Sequence, residues 1–409
     1  MKILVVSQYF WPENFRINDL VEGLVVRGHE VTIVTGIPNY PEGRFYPGYG
    51  LLNKIVQYYR GAKIFRVPLI ARGNGSKYRL LINYLSFACF ASIVAPFYLW
   101  KQYDVVFVYA PSPITVAIPG LVMKKLKSVP MFLWVQDLWP ESLSATGAVS
   151  NKWILRGVGS LVRLIFRFSD RILVPSKAYI SSVLDHGGEP GHVDYFPQCV
   201  ESLYQPIQSK VNDLKDDIFP TGFCVMFAGN IGTAQSFETV LDAAEKVKHI
   251  SDINIVILGD GRMRQWVASE VKRRRLGDTV HLLERRPLED MPVLFANAEV
   301  MLVTLKKNPL FSLTIPGKIQ SYLACGRPII GALEGEAARI INESGAGLVC
   351  PPEDSAQLAH CIMKMFEMSE RQRNHMGRSG LNYYRINFDR DVLIDRLELW
   401  MKECVVEPK

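Results

Sequence analysis

The stretch from Thr314 to Gly331 holds the residues best placed for chemistry. Pro316 and Gly317 predict a turn, Lys318 follows, and an apolar run predicts a helix as far as Ala324. Glycine permits a tight turn that leaves backbone N–H groups uncovered, and a helix N-terminus carries partial positive charge. These groups and the Lys318 ammonium would converge on one point, which suits an anion such as a diphosphate. The same residues are also typical of a capped helix between two strands that binds nothing.

A second glycine turn lies upstream. Phe223–Ala228 is a continuous apolar run, typical of a parallel strand covered on both faces. Gly229, Asn230, Ile231 and Gly232 follow, and Ser236–Val247 predicts a helix. Strand, glycine turn and helix together form the unit that places a phosphate at a helix N-terminus. The turn has neither the G-x-G-x-x-G pattern nor the lysine of a P-loop, which disfavours a dehydrogenase or a kinase.

Apolar strands, each followed by a polar or proline-containing turn, recur along the chain. In the N-terminal half they are Lys2–Val6, Val31–Thr35, Val105–Tyr109, Met131–Val135 and Arg171–Pro175, and Ile253–Leu258 adds another in the C-terminal half. Repeated βα units in both halves predict an α/β protein of two doubly wound, Rossmann-like domains facing each other across a cleft. A chain of 409 residues is long enough for two hydrophobic cores.

The predicted domains are 1–200 and 201–385, with 386–409 as a C-terminal segment. Phe196 to Thr221 is polar and contains the charged run Lys215–Asp217, so we assign it to the end of the first domain and the linker. A final helix is predicted from Asp391 to Lys402, which can cross back onto the first domain.

Five segments of the chain match a known family, and together they extend over almost its whole length: Phe10–Arg16, Arg27–Val31, Gln136–Ser142, Gly229–Gly232 and Pro316–Gly331. In these segments the chain resembles the GT-B glycosyltransferases of family 4, in the branch that builds bacterial O-antigen and exopolysaccharide repeats. Within that branch it is most similar to N-acetyl-L-fucosaminyl transferases. It implies retaining transfer of a sugar from a UDP-sugar co-substrate, without a cofactor, to a polyprenyl-diphosphate-linked saccharide.

The resemblance also assigns roles to residues of this chain. The implied catalytic residues are Asp137 and Glu141. The implied donor site consists of Gly229, Asn230, Gly232, Pro316, Gly317, Lys318 and Ser321, and the implied acceptor side of Glu13, Asn14, Arg16 and Gln136. For Asp137 and Glu141 the alternative is a structural one, in which Asp137 caps the next helix and Pro140 lies in its first turn. We assign His29, which follows a helix-ending glycine, to the scaffold.

The chain departs from the family pattern at the nucleotide. Most members carry two Glu residues separated by seven others, and Leu313 and Ser321 stand at those positions here. Asn230 and Gln235 stand where many members have Arg and Lys, so Lys318 becomes the main candidate for neutralising the diphosphate. Lys306 and Lys307 are in reserve, with a solvated loop as the alternative. The family's Gly-Gly pair in the first loop is replaced by Phe15 and Arg16, so that loop can contact an acceptor.

The sequence predicts no metal site. Its seven His show no pair at ligand spacing, and its seven Cys form no C-x-x-C motif. Asp389 and Asp391 formally make a D-x-D motif, but acids are favoured at the start of a helix, where we place them. Dispersed, odd-numbered Cys favour a reducing compartment. No secretory signal is expected, because Met1 and Lys2 lead directly into a core strand.

Charge divides unevenly between the two halves. Residues 1–200 hold 21 Lys and Arg against 12 Asp and Glu, whereas the remainder holds 26 against 28. Leu80 to Trp100 is uncharged and long enough to span a bilayer, but it lies between strands of one domain. We therefore expect either a core helix or a helix partly inserted in the interface. Lys152 to Arg171 predicts a basic amphipathic helix suited to an anionic leaflet. No nucleic-acid-binding motif accompanies these charges.

These observations favour a glycosyltransferase at the cytoplasmic face of a bacterial inner membrane, peripheral or monotopic. Two alternatives stay open: a nucleotide-sugar epimerase on the same fold, and a non-catalytic nucleotide-sugar-binding protein at the membrane.

Overall fold

The computed structural model describes residues 1–51, 53–145, 149–207 and 219–406. The chain divides into two compact units, one made of Met1–Cys199 and Arg390–Lys409, the other of Val200–Asp389. The first unit therefore ends within one residue of the predicted position 200, while the second extends past the predicted 385. The charged run Lys215–Asp217, which we predicted to lie in a linker, falls outside the described residues.

An eight-stranded sheet forms the centre of the first unit, in the order β3-β4-β2-β1-β5-β6-β7-β8. All neighbouring strands are parallel except β3 and β4. The strand order reverses between β1 and β5, which is where open α/β sheets bind ligands. The strands are β1 (Lys2–Val6), β2 (Glu30–Gly36), β3 (Val56–Tyr59), β4 (Ala62–Val67), β5 (Val105–Ala110), β6 (Met131–Val135), β7 (Arg171–Val174) and β8 (Val193–Tyr195).

In the part of the first unit that the structure describes, six α-helices connect these strands. They are α1 (Ile17–Val26), α2 (Lys77–Tyr98), α3 (Ala117–Lys127), α4 (Glu141–Ala145), α5 (Lys152–Arg167) and α6 (Tyr179–Asp185). Helix α2 buries Asn83, Phe87, Ala91 and Ala95. These residues are four apart, so they form one stripe of the helix, and α2 packs with it against β2, β4 and α3.

The last helix, α15 (Arg390–Val406), belongs to the first unit. Its Leu393, Ile394, Leu397 and Met401 join the same hydrophobic core as α1. His29 accompanies this contact, because its Nε2 lies 2.9 Å from Glu398 Oε1. The helix therefore completes the core of the first unit.

The second unit contains a six-stranded, fully parallel sheet in the order β11-β10-β9-β12-β13-β14. This is the strand order of a dinucleotide-binding Rossmann fold, and it reverses between β9 and β12. The strands are β9 (Phe223–Ala228), β10 (Ile253–Leu258), β11 (Val280–Leu283), β12 (Val300–Thr304), β13 (Ile329–Ala332) and β14 (Gly347–Cys350). The helices are α7 (Phe237–Val247), α8 (Arg264–Arg273), α9 (Met291–Ala296), α10 (Pro309–Ser312), α11 (Gly317–Ala324), α12 (Glu336–Glu343), α13 (Ser355–Glu367) and α14 (Glu370–Asn387).

One predicted helix is too long. We expected a helix from Lys152 to Arg171, but α5 ends at Arg167, and Arg171 begins strand β7. Asp170 explains the difference, because its Oδ2 accepts hydrogen bonds from the Met131 amide at 2.7 Å and the Lys124 ammonium at 2.6 Å. These bonds hold the chain out of the helix and lead it into the sheet beside β6.

Candidate functional site

The glycine turn after β9 lies at the carboxyl end of the second sheet, at its switch point. Gly229 has a φ of +136°, a backbone conformation that favours glycine, and it is exposed. The Ile231 N–H donates to the Asp260 carbonyl at 2.8 Å, which fastens this turn to the one after β10. The turn therefore presents open backbone at a fixed position, as a phosphate site requires.

Lys318, in the first turn of α11, lies directly over this site. Its Nζ is 3.7 Å from the centre of the Phe227 ring, and a Cβ atom built on Gly229 would lie 3.5 Å from the same Nζ. In the part of the chain that the structure describes, no acid pairs with Lys318. Burial lowers the pKa of Lys318 to about 7. A partly buried cation without a counter-ion beside a glycine turn is suited to binding an anion.

The other predicted donor-side residues have different surroundings. Asn230 is exposed beside the turn. Gly232 donates its N–H to Gln235 Oε1 at 3.1 Å, so Gln235 stabilises the turn. Ser321 is only 4% exposed, and its hydroxyl donates to the Gly317 carbonyl at 3.3 Å within α11. The Ser321 side chain therefore stabilises α11, the helix that carries Lys318. It is not accessible to a ligand, contrary to its predicted binding role.

Lys306, one of the two reserve lysines, differs from Lys318 in its surroundings. Lys306 lies 4.0 Å from Glu238, and its backbone N–H donates to the Ala234 carbonyl at 2.8 Å. Its charge is therefore shared with an acid, unlike that of Lys318.

In the first unit, Asp137 lies just beyond the carboxyl end of β6. Helix α4 begins at Glu141, four residues later, so Asp137 does not cap it. The alternative that Asp137 is a helix cap is therefore wrong. Within the described residues the carboxylate of Asp137 has no hydrogen-bond or ion-pair partner. Burial raises its pKa to about 6. A partly buried, unpartnered carboxylate with a pKa near neutrality is suited to positioning a hydroxyl or accepting its proton.

Glu141, the second predicted catalytic acid, is engaged in the structure through one oxygen, while its Oε2 is buried with no partner among the described residues. One of its oxygens accepts a hydrogen bond from the Ser182 hydroxyl at 2.9 Å and lies 3.5 Å from His186 Nδ1. These contacts tie α4 to α6. Gln136 is also only half occupied: the Gln198 amide donates to its side-chain oxygen, whereas its Nε2 is buried with no partner among the described residues.

Glu13 supports the acceptor side without lining it. It is 2% exposed, and its Oε1 accepts the backbone N–H groups of Asn39 at 2.8 Å and Tyr40 at 2.7 Å. Burial raises the pKa of Glu13 to about 7. Its carboxyl thus joins the loop after β1 to the loop after β2, contrary to the predicted contact with an acceptor.

Arg16 and Asn14 remain on the accessible side of the same loop. Asn14 is exposed. Burial raises the pKa of the Tyr109 phenol, while the nearby Arg16 charge lowers it and the Asp137 charge raises it. Arg16 and Asp137, two of the predicted site residues, therefore both lie near Tyr109 at the end of β5.

The sequence analysis missed an aromatic group beside Asp137. The rings of Tyr9 and Phe15 stack with centroids 5.1 Å apart, and Tyr40 lies 5.7 Å from Tyr9. Arg72, from the loop after β4, stands 4.9 Å from the Tyr40 ring. Tyr84 of α2 hydrogen-bonds Tyr9 and is close enough to feel the charge of Asp137. The available sequence signal was the position of Arg72 shortly after a strand and directly before Gly73, in a loop on the ligand-binding edge.

Helix α2 is long and apolar enough to cross a membrane, and 28% of its most apolar window is buried. Its outer side exposes apolar side chains, including Tyr78, Leu81, Ile93 and Phe97.

No group of three or more His, Cys, Asp or Glu that could hold a metal occurs among the residues that the structure describes.

Two protein families match the chain. Residues 14–199 match a family described as glycosyl transferase 4-like domain, and residues 222–368 match glycosyl transferases group 1. The probable glycosyltransferase WbjE of Pseudomonas aeruginosa is 25% identical over 68% of this chain and 69% of its own length. The putative colanic acid biosynthesis glycosyl transferase WcaI of Escherichia coli is 24% identical over 80% of this chain and 82% of its own length.

Solved structures share the fold over nearly the full length. Anabaena HepE in complex with UDP matches with a TM-score of 0.72 at 14% identity, covering 98% of this chain and 100% of HepE. WaaG, a glycosyltransferase involved in lipopolysaccharide biosynthesis, matches with a TM-score of 0.68 at 12% identity, covering 98% and 99%. The chain is therefore a glycosyltransferase with the GT-B fold, similar to the glycosyl transferase 4-like domain over residues 14–199 and to glycosyl transferases group 1 over residues 222–368.

Proposed function

We propose that this enzyme transfers a sugar from a UDP-sugar to a polyprenyl-diphosphate-linked saccharide during synthesis of a bacterial surface polysaccharide such as O-antigen. The observation that carries the donor assignment is the unpaired Lys318 ammonium, 3.7 Å from the centre of the Phe227 ring and beside the open Gly229 turn. The complexes of HepE with UDP and with UDP-glucose support a UDP-sugar as the donor class. The names of WcaI, for colanic acid biosynthesis, and of WaaG, for lipopolysaccharide biosynthesis, support a role in polysaccharide assembly.

The chemistry divides between the two units. The acceptor oxygen attacks the anomeric carbon from the face that the UDP diphosphate leaves, so that the new bond forms as the bond from that carbon to the diphosphate breaks. Lys318 and the backbone at Gly229 stabilise the negative charge that grows on the departing UDP. Asp137 positions the acceptor hydroxyl and accepts its proton. We further propose that the anomeric configuration is retained and that no metal is required, since a lysine and backbone dipoles supply the positive charge.

N-acetyl-L-fucosamine is the donor sugar that we propose, on the basis of the sequence resemblance. The identity of the sugar rests on that resemblance alone, and the donor-site residues described above contact the part common to all UDP-sugars. A panel of UDP-sugars assayed with one lipid acceptor therefore tests the sugar separately from the reaction.

We propose that the first unit docks on the anionic cytoplasmic leaflet of the inner membrane. Helix α2 exposes apolar side chains, and α5 exposes Trp153 and Ile154 beside Arg156, whose guanidinium lies 5.1 Å from the centre of the Trp153 ring. Apolar side chains bordered by basic ones suit the interface of an anionic bilayer. A membrane-bound acceptor would require the enzyme to work at such a surface.

The experiment that tests the function incubates purified enzyme with radiolabelled UDP-sugars and membranes that contain lipid-linked saccharides. We expect label in the organic lipid extract, and the same yield in EDTA. A new free nucleotide sugar with no labelled lipid would indicate an epimerase instead. UDP-sugar binding without turnover of any donor would indicate a non-catalytic binding protein.

A further inference from the structure

Arg72 is a fixed cation that the reaction described above does not use. Its guanidinium lies 4.9 Å from the centre of the Tyr40 ring and 5.8 Å from that of Tyr9, and its Nη1 donates to the Tyr9 hydroxyl at 3.1 Å. Its backbone N–H donates to Asn39 Oδ1 at 3.1 Å. Aromatic faces, a hydroxyl and an anchored backbone thus hold the side chain in one orientation.

Nothing in the described part of the chain neutralises this charge. No carboxylate lies within ion-pair distance of Arg72, and Tyr9 is its one side-chain hydrogen-bond partner there. A guanidinium has five N–H donors, so most of them remain available. Arg66, on the adjacent strand β4, is different, since it donates to the Gly36 and Trp11 carbonyls and to Gln57 Oε1. Arg66 is a structural arginine. Arg72, in contrast, is fixed in its orientation while most of its N–H donors have no hydrogen-bond partner among the described residues.

The position of Arg72 narrows the class of anion. Tyr84 lies near both Arg72 and Asp137, because both of their charges act on its phenol. Tyr84 also belongs to α2, whose outer side exposes apolar residues such as Leu81 and Leu85. An anion at Arg72 would therefore lie beside the proposed catalytic acid and beside an apolar helix. A lipid-linked saccharide has this arrangement, with a diphosphate between its apolar chain and its sugars.

We infer that Arg72, held by Tyr9 and Tyr40, binds the diphosphate of the acceptor lipid. The inference rests on the proposed function, because it assumes a lipid-diphosphate acceptor, and it assigns that acceptor's anion to a site in the first unit. The planar guanidinium offers two parallel N–H donors to a diphosphate, a bidentate match that a lysine lacks.

The test measures binding of farnesyl diphosphate to the full-length enzyme with UDP present at saturation, so that the donor site is occupied. We expect farnesyl diphosphate to bind at least about tenfold more tightly than farnesol. Arg72→Gln should weaken that binding at least about tenfold and leave the affinity for UDP unchanged. Arg44→Gln is the matched control, because Arg44 is 83% exposed in a neighbouring loop and pairs with Glu42. It removes the same charge and should bind farnesyl diphosphate as the wild type does.

Wild-type affinity for farnesyl diphosphate in a folded Arg72→Gln enzyme would overturn the inference, and so would equal binding of farnesol and farnesyl diphosphate. If Arg72→Gln does not fold, Arg72→Lys replaces it, since it keeps the charge and loses the paired donors; unchanged affinity in that variant would also overturn the inference. UDP binding separates the two proposals: its absence in the wild type would refute the donor assignment and leave the Arg72 measurement interpretable.

Discussion

The two candidate sites use different means to bind anionic substrates. In the second unit, two glycine turns and one cation, Lys318, form the site, and most nearby side chains serve the scaffold. In the first unit, Asp137, Arg72 and four aromatic residues project from separate loops and from α2. The diphosphate of a UDP-sugar is the same whichever sugar it carries, so backbone groups and a single lysine are sufficient to bind it. An acceptor saccharide differs between polysaccharides and requires side chains that can differ.

This comparison predicts that changes in the second unit affect the nucleotide, whereas changes in the first unit affect the acceptor and the chemical step. Within the first unit, the unpartnered Asp137 and the engaged Glu141 provide a finer comparison.

The largest effect is expected from Lys318→Ala. Loss of the unpaired cation beside the Gly229 turn should lower kcat/KM by an amount equivalent to about 2–4 kcal/mol, the range seen when a transition-state charge contact is removed. Lys306→Ala is the matched control, because the Lys306 ammonium forms an ion pair with Glu238. Steady-state kinetics with a UDP-sugar and a lipid acceptor measure both variants. Wild-type kinetics in folded Lys318→Ala would remove Lys318 from the site.

Asp137→Asn should lower kcat by about a hundredfold, because the amide cannot accept the acceptor's proton. The substitution preserves shape, so the melting temperature should stay close to that of the wild type. Glu141→Gln should behave in the opposite way: it weakens the contacts to Ser182 and His186, so the protein should lose about 1 kcal/mol of stability and keep most of its turnover. Full turnover in Asp137→Asn together with a large loss in Glu141→Gln would reverse the two assignments.

Binding of a UDP-sugar should depend on pH through Lys318. Burial lowers the pKa of Lys318 to about 7, so the free enzyme is already protonated below that pH and must take up a proton with the ligand above it. Affinity should therefore be constant below about pH 7 and fall by up to about tenfold per pH unit above it. Calorimetric titration between about pH 6 and about pH 8.5 measures the slope, which should vanish in Lys318→Ala. A UDP-sugar is preferable to UDP, whose terminal phosphate titrates near the same range.

The smallest effect is expected at the membrane. Replacing Arg156, Arg163 and Arg167 by Gln should weaken binding to anionic vesicles by about fivefold at physiological salt, where the contribution of each charge is screened. Activity on a short soluble acceptor should be unchanged. The matched control replaces Arg371, Arg378 and Arg385, which are exposed on α14 of the second unit. Equal binding of the wild type to anionic and neutral vesicles at low salt would contradict docking.

The sequence predicted the positions of the buried strands better than it predicted the pairing of the exposed strand β3 with β4. The bounds of β1, β6, β9 and β10 were predicted correctly, because a strand buried on both faces is a continuous apolar run with a polar end. The hairpin of β3 and β4 was missed. β3 is largely exposed, and its turn at Arg60 and Gly61, with φ values of +47° and +90°, lacks the usual Asn-Gly signature.

The side chains of the sites were harder to predict than their loops. Lys318 and Asp137 follow from one turn and one strand end, which are local features. Whether a carboxylate such as that of Glu13 faces a ligand or a backbone amide depends on a loop 26 residues away along the chain. Arg72, Tyr40 and Tyr84 come together only when β2, β4 and α2 pack, so no local pattern marks them as a group.

The most direct test of the division between the two units is a titration of a UDP-sugar into three proteins under one set of conditions: wild type, Lys318→Ala and Asp137→Asn. The account predicts that Asp137→Asn binds the nucleotide as the wild type does, although its turnover is lost, and that Lys318→Ala binds it at least about tenfold more weakly. Normal binding by Lys318→Ala together with weakened binding by Asp137→Asn would contradict it.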